Sequence, residues 1–273
     1  MKKIIFSIIA TAVILAGCSS GATTGNQSSS NNTTNTNANL LDSIDTANSA
    51  FKKGYYDYDG TISNNMPIQM SIYPLEQDIV GSYFYESQRK EIKLKGKAGA
   101  KDFILYEYDE AGKSTGIFKG SMKTVDKIEG TWVSPDNKTS YSFTLSLKSN
   151  LPGVEFGERY SVAVGTVSDN EVESFASKIQ GYIINDKKEQ ISDLVAYPIT
   201  VKINGKATAI STKDQFIKNY SLIFNSNYKE AISKAFTKYM FANWQGVMFG
   251  QGQYNMWINT TEASKLMIKA INN

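Results

Sequence analysis

The side chains able to do chemistry in this 273-residue sequence are limited first by an absence, because it contains no histidine. That excludes Ser-His-Asp and Cys-His catalysis and the usual zinc sites, and it removes the commonest general base near neutral pH. Cys18 is the only cysteine, so no internal disulfide can form. The stretch "YYDYDG" (55–60) offers Asp57 and Asp59 to a cation. It lacks the remaining oxygen ligands and the closing Glu of a calcium loop, and in a strand the two acids alternate outward beside Tyr56 and Tyr58. No glycine-rich phosphate loop, Walker pattern or metal-ligand spacing is present, so neither a cofactor nor a metal is expected. The densest binding-type stretch is "NWQGVMFGQGQYNMWI" (243–258). Trp244, Phe249, Tyr254 and Trp257 supply flat apolar area there, among glycines and neutral amides. Such a composition suits an apolar or peptide-like ligand or a protein face, or else it fills a core. The tyrosine-rich stretches "SYFYES" (82–87) and "LYEY" (105–108) offer rings to a sugar or a protein, or pack a half-buried sheet.

These residues must be held by elements of two kinds. Residues 55–148 read as short strands of period two, including "MPIQMSIYP" (66–74), "DIVGSYFYES" (78–87), "DFILYEYDE" (102–110) and "TSYSFTLSL" (139–147). Period-two alternation buries one face of each strand and predicts an antiparallel sheet. Glycines 81, 116, 120 and 130 inside strands suggest bulges or tight bends. Seven or eight strands at a spacing of roughly 10–13 residues predict a small meander or barrel.

From about residue 165 the period changes. Ser168 to Glu171 reads as a capping box, followed by Val172, Phe175, Ala176, Ile179 and Ile183 at helical spacing. A short helical piece follows around Ile191 to Val195, and Asn204-Gly205 sits at the turn of a hairpin over 196–210. Thr212 to Gln215 opens another helix, "YKEAISKAFTKYMF" (228–241) fits helix or strand, and strands are predicted over 245–252, 253–259 and 264–272.

Two resemblances add to this. Lys2 and Lys3 precede a short apolar run, Ile4 to Leu15, that is too short for a membrane span of roughly 20 residues. Leu15-Ala16-Gly17-Cys18 resembles the bacterial lipobox, which implies cleavage before Cys18 and lipidation of its thiol with palmitate-type chains. The order of helices, hairpin, helix and strands over 165–273 resembles the NTF2-like (cystatin-like) fold, and "VAYPITVKINGKATAI", "FIKNYSLIF" and "GVMFGQGQYNMWI" resemble the C-terminal parts of uncharacterised bacterial exported proteins. It implies a cone of curved antiparallel sheet packed on helices, with a pocket at its mouth. Tyr197, Tyr220, Trp244, Phe249, Tyr254 and Trp257 are the expected ligand-binding residues of that cone. Enzymes of the fold work with Asp, His and Tyr, so acid–base chemistry here would fall to Asp193 or Asp214 with Tyr197 or Tyr220.

The expected organisation is a signal peptide (1–17), a tether (18–40), an all-β barrel-like domain (41–150), a linker (151–164) and an α+β NTF2-like domain (165–273). The tether is Ser, Thr, Asn and Gly with no bulky apolar residue, so it cannot offset its ordering entropy. As a coil of about 21 residues it reaches roughly 25 Å. The apolar fraction is 41% with 12% aromatics, which supports real cores. The formal charge is +3, and two of those charges are Lys2 and Lys3. The remainder is near neutral and gives no argument for nucleic acid. The expected protein is exported and lipid-anchored in the bacterial cell envelope, in the outer membrane if the cell has one. It binds an envelope or secreted protein partner, or a small apolar ligand, without catalysis; the rival expectations are an envelope enzyme and a structural or assembly component. Replacing Cys18 by Ser is expected to abolish fatty-acid labelling and to move the protein from the membrane pellet to the soluble fraction. Retained labelling would exclude Cys18 as the acylated residue.

Overall fold

The computed structural model describes residues 40–273. The expected signal peptide, the expected lipidation site Cys18 and all but the last residue of the expected tether lie outside the described residues. No described helix is long and apolar enough to cross a membrane.

Eight antiparallel strands in chain order close into a barrel: β1 (Gly54–Ile62), β2 (Met66–Leu75), β3 (Asp78–Tyr85), β4 (Ile92–Ala98), β5 (Asp102–Tyr108), β6 (Ser114–Met122), β7 (Lys127–Val133) and β8 (Ser140–Pro152), with β8 paired back onto β1. Alternate residues point inward, and closure leaves no free edge. The interior is packed solid by Tyr58, Met70, Tyr83, Leu105, Phe118, Phe143 and their neighbours. Phe118 meets both Tyr83 and Phe143 edge-on, at 5.3 and 5.1 Å between ring centroids. Phe51 closes one end by packing edge-on against Tyr56. On the outside, Leu40, Leu41 and Ile44 cover Ile104, Tyr106 and Ile117.

A second outward patch is polar. Ser149, Asp57, Ser71 and Ser82 are successive cross-strand partners on β8, β1, β2 and β3, so they form one row across the barrel wall. A register shift in the β1–β8 pairing falls at Asp57/Tyr58, where a bulge re-aims side chains. The rest of the chain docks on this row. Arg159, only 3% exposed, donates two hydrogen bonds to Asp57, at 2.7 and 2.8 Å, and a third to the Ser71 hydroxyl. Ser149 also donates to Asp57 at 2.9 Å, and the Tyr55 ring lies 4.3 Å from the guanidinium carbon. Beside it, Phe236 stacks on Phe84 of the barrel, and the Tyr239 and Ser82 hydroxyls hydrogen-bond.

The C-terminal part holds helices α1 (Ser161–Val164), α2 (Asp169–Ile184), α3 (Lys188–Ser192), α4 (Lys213–Ile223) and α5 (Ser226–Lys234). It also holds a hairpin, β9 (Ile199–Ile203) with β10 (Lys206–Ile210), and a sheet of β11 (Phe241–Asn243), β12 (Gly246–Gln251), β13 (Tyr254–Thr260) and β14 (Leu266–Asn272). The capping box at Ser168 and Glu171 forms, and it sets the start of α2. Asn204 and Gly205 both take positive φ, as a tight hairpin turn requires.

These parts do not make the expected NTF2-like cone. The molecule is a closed eight-stranded barrel followed by a few helices and small sheets, not a β domain joined to an α+β cone. The hairpin pairs only with itself, and beside β14 it is tied through the Asn273 side chain, which bonds both the N–H and the carbonyl of Lys202. Residues 228–234 form most of α5 rather than a strand, so β11 is three residues long and the sheet stops at four strands. A sheet so short does not curve around a cavity. Its inner face is filled by Phe216, Tyr220, Phe224, Tyr228 and Phe249, all buried.

Asp57→Ala leaves the Arg159 charge buried and unpaired. It is expected to destabilise the chain by about 3–5 kcal/mol in urea unfolding, and the double change Asp57→Leu with Arg159→Met to recover most of that loss. A cost below about 1 kcal/mol would show that the pair does not hold the two parts together.

Candidate functional site

The docking of the two parts leaves a cleft of about 700 Å3 between them. One wall is an aromatic shelf. The loop after β8 returns through Val154 to Arg159 and carries Phe156, 51% exposed, against the barrel's Tyr73 and Tyr55, at 5.2 and 6.4 Å between centroids. Hydrogen bonds fix the shelf: Tyr73 donates to the Val154 carbonyl at 3.0 Å, and the Tyr55 hydroxyl accepts from the Gly157 N–H at 2.7 Å. Burial pushes the Tyr55 hydroxyl up to about 12, so it is a neutral hydrogen-bonding group at any ordinary pH.

The opposite wall is polar and comes from three elements. Glu173 lies in the first half of α2, Lys238 on the turn before β11, and Glu91 just before β4. Lys238 contacts Glu91 at 2.5 Å and Glu173 at 3.7 Å. Glu91 also accepts from Ser82 at 2.7 Å. Burial pushes Glu91 up, but the Lys238 and Ser82 hydrogen bonds outweigh it and hold the acid below its ordinary range. Glu173 has weaker help, a 3.3 Å hydrogen bond from the Tyr160 hydroxyl and the more distant Lys238. Burial therefore dominates and pushes it up to about 7, against the pull of Lys238, Tyr160 and Arg159. The two acids share one ammonium yet hold protons differently, because one is in close contact with it and the other is not.

The residues expected to bind ligand do not converge. Tyr220 and Phe249 are core residues, and the Tyr197 hydroxyl donates to the Ser192 carbonyl. Tyr254 packs edge-on against Tyr228, and Trp257 against Phe241. Trp244 stands 77% exposed between β11 and β12. Asp193 is an exposed ion-pair partner of Lys213, and Asp214 sits exposed in the first turn of α4. Among the described residues no group of acids is arranged to hold a metal.

Among the residues lining the cleft, Phe156 and Arg159 fall in a stretch that reads as a linker and Glu173 on a helix surface, where no sequence pattern marks a site. One signal was available. Arg159 is one of only two arginines among the 29 basic residues, and a buried fork-shaped pair with a carboxylate is the role lysine fills poorly. Comparison with protein-family models, with curated proteins and with solved structures finds no match to this chain.

The folded pKa of Glu173, about 7, lies above the ordinary 4.5. Folding therefore favours the protonated acid. The destabilisation is absent below 4.5, grows as pH rises, and is complete above about 7. Its full size is on the order of 3 kcal/mol. Glu173→Gln is expected to raise the thermal midpoint at pH 8 and to leave it unchanged at pH 4. An equal effect at both pH values would remove Glu173 as the titrating group.

Proposed function

We propose that this chain is a lipid-anchored binding protein of the bacterial cell envelope, and that its ligand is a small molecule held in the cleft between the barrel and the C-terminal part. The observation that carries the reading is the pairing, in one cleft of about 700 Å3, of a half-exposed ring, Phe156, with a half-buried carboxyl, Glu173, whose proton affinity burial raises to about 7. Ligand pockets are typically about 300–1,000 Å3, lie preferentially where units meet, and combine apolar walls with a few placed polar groups. The ligand class that suits such walls has a flat or apolar face for the shelf and hydroxyl or amide groups for the Glu173 side. A cleft this size favours a small ligand over a protein partner, and the tether lets the folded part search away from the lipid surface.

One observation favours a second reading, catalysis. An acid near pH 7 in an open cleft is competent to give and take protons. The two readings part at Glu173→Gln, since a binding protein keeps its ligand unchanged chemically in either form, whereas an enzyme loses turnover in the variant.

The chain expressed from residue 19 is to be screened by thermal denaturation against sugars, amino acids, short peptides and fatty acids. At a concentration 100 times Kd a ligand of the folded state stabilises by about 2.7 kcal/mol, which the midpoint reports. Phe156→Ala is expected to weaken the best ligand by roughly three- to tenfold. A ligand whose affinity is indifferent to Phe156→Ala and to Glu173→Gln does not sit in this cleft.

A further inference from the structure

A second cavity, of about 610 Å3, opens at the rim of the barrel where β5 ends and β4 and β6 begin. It shares the walls Glu91, Lys93, Tyr108, Asp109 and Glu110 with the cleft, but it reaches a residue the cleft does not, Glu107. Glu107 continues the inward-facing series Phe103, Leu105 on β5 and is only 5% exposed. Its Oε2 is fully engaged: the Tyr83 hydroxyl donates to it at 2.6 Å and the Trp132 indole N–H at 3.0 Å. The indole is held there because Gly116 leaves room for it; a Cβ at that position would lie 2.4 Å from the indole nitrogen.

Oε1 is different. Among the described residues it has no donor, and no fully enclosed side-chain oxygen or nitrogen lacks a partner. Oε1 therefore reaches open space, and the open space that Glu107 lines is the rim cavity. Nor does Glu107 have a cation: no ion pair to it forms among the described residues, and Lys90 on the same wall is paired with Glu110 at 3.2 Å. The barrel thus holds a carboxyl with two neutral donors on one oxygen and the other open to the cavity, with no donor to it among the described residues. The rest of the side chain is buried, so the open oxygen can take a donor only from the cavity side. Of the four carboxyl groups on the walls, Glu91 is paired with Lys238 and Glu110 with Lys90, which leaves Glu107 and Asp109 against Lys93, so the cavity favours a positive guest. Ile92 and the Tyr108 ring offer the apolar surface that an alkyl stem needs.

We propose that the rim cavity binds the ammonium group of a small alkylamine, with Glu107 Oε1 as its hydrogen-bonding counter-group. The rim cavity adjoins the cleft and shares part of its wall, but Glu107 belongs to the rim alone, so the proposal stands whether or not the cleft holds a ligand.

The test uses the chain from residue 19 labelled with 15N, titrated with n-butylammonium and, as the uncharged control, n-butanol. The indole N–H of Trp132, assigned by its loss in Trp132→Phe, is the reporter, because it donates to the same carboxyl. The amine is expected to shift this signal saturably, with an affinity at least about tenfold above that of the alcohol, and Glu107→Gln to lose at least about tenfold in amine affinity. If Glu107→Gln fails to fold, Thr115→Trp serves instead: Thr115 lines the cavity from a half-buried position, and the larger side chain is expected to fill the space a guest needs while the carboxyl is kept. Phe156→Ala, which alters only the cleft, is expected to leave the titration unchanged. Equal binding of amine and alcohol, no saturable shift with the amine, or full amine affinity in Glu107→Gln or Thr115→Trp would each overturn the proposal.

Discussion

Arg159 is a charged side chain that the fold removes almost completely from water, and the arrangement of the two halves of this molecule follows from where that charge is neutralised. Burial works against the guanidinium charge, and Asp57 more than restores it. The pairing is fork to fork, so it fixes orientation as well as distance. Asp57 can accept it only because the β1 strand turns that carboxyl to the outside of the barrel, into a row with Ser149, Ser71 and Ser82. Small hydroxyl residues let the second half of the chain come close, and their oxygens satisfy what the ion pair leaves over. A larger residue in the row would keep the halves apart.

The cleft follows from that docking, and the rim cavity from the barrel's own wall beside a solid interior. A closed barrel of eight strands encloses little more than its own side chains, and here aromatic rings use the space. Ligand-sized room is therefore displaced to the outside, to the seam and to the rim. The seam concentrates charged groups whose environments differ over short distances. Glu91 and Glu173 face the same lysine, yet contact geometry depresses the proton affinity of one and burial raises that of the other. The loop carrying Phe156 is anchored at both sides of the ring by hydrogen bonds to barrel tyrosines, so the shelf is pre-formed and little ordering is left to binding.

Much of the local structure was legible residue by residue. The Ser168 box starts a helix where it should, Asn204-Gly205 turns a hairpin, and the alternation over 66–147 gives strands that pair with their neighbours in order. Beyond that local range, like patterns serve unlike assemblies. Helices, a hairpin and strands in that order suit a cone, but whether the hairpin adds to the sheet depends on backbone pairing that side-chain periodicity does not record. The segment 228–241 carried apolar residues compatible with either period, and its choice of helix shortened the sheet. The ring-rich stretch 243–258 was scattered because alternate residues of a strand face opposite ways: Phe249 entered the core while Trp257 stayed on the other face.

By itself, the sequence determined the absence of histidine chemistry and of internal disulfides, the alternation that commits residues 55–148 to antiparallel strands, and the caps and turns that punctuate the rest. Those are properties of composition and of neighbours a few residues apart. Only the tertiary structure decided that Asp57 meets Arg159 although they stand 102 positions apart in the chain, that Glu173 is an acid with a raised proton affinity, and that Glu107 points into the barrel with one oxygen open to the rim cavity. Proton affinity and binding depend on burial and on the exact distance to an opposite charge, and both are set by which distant strands and helices come to lie side by side.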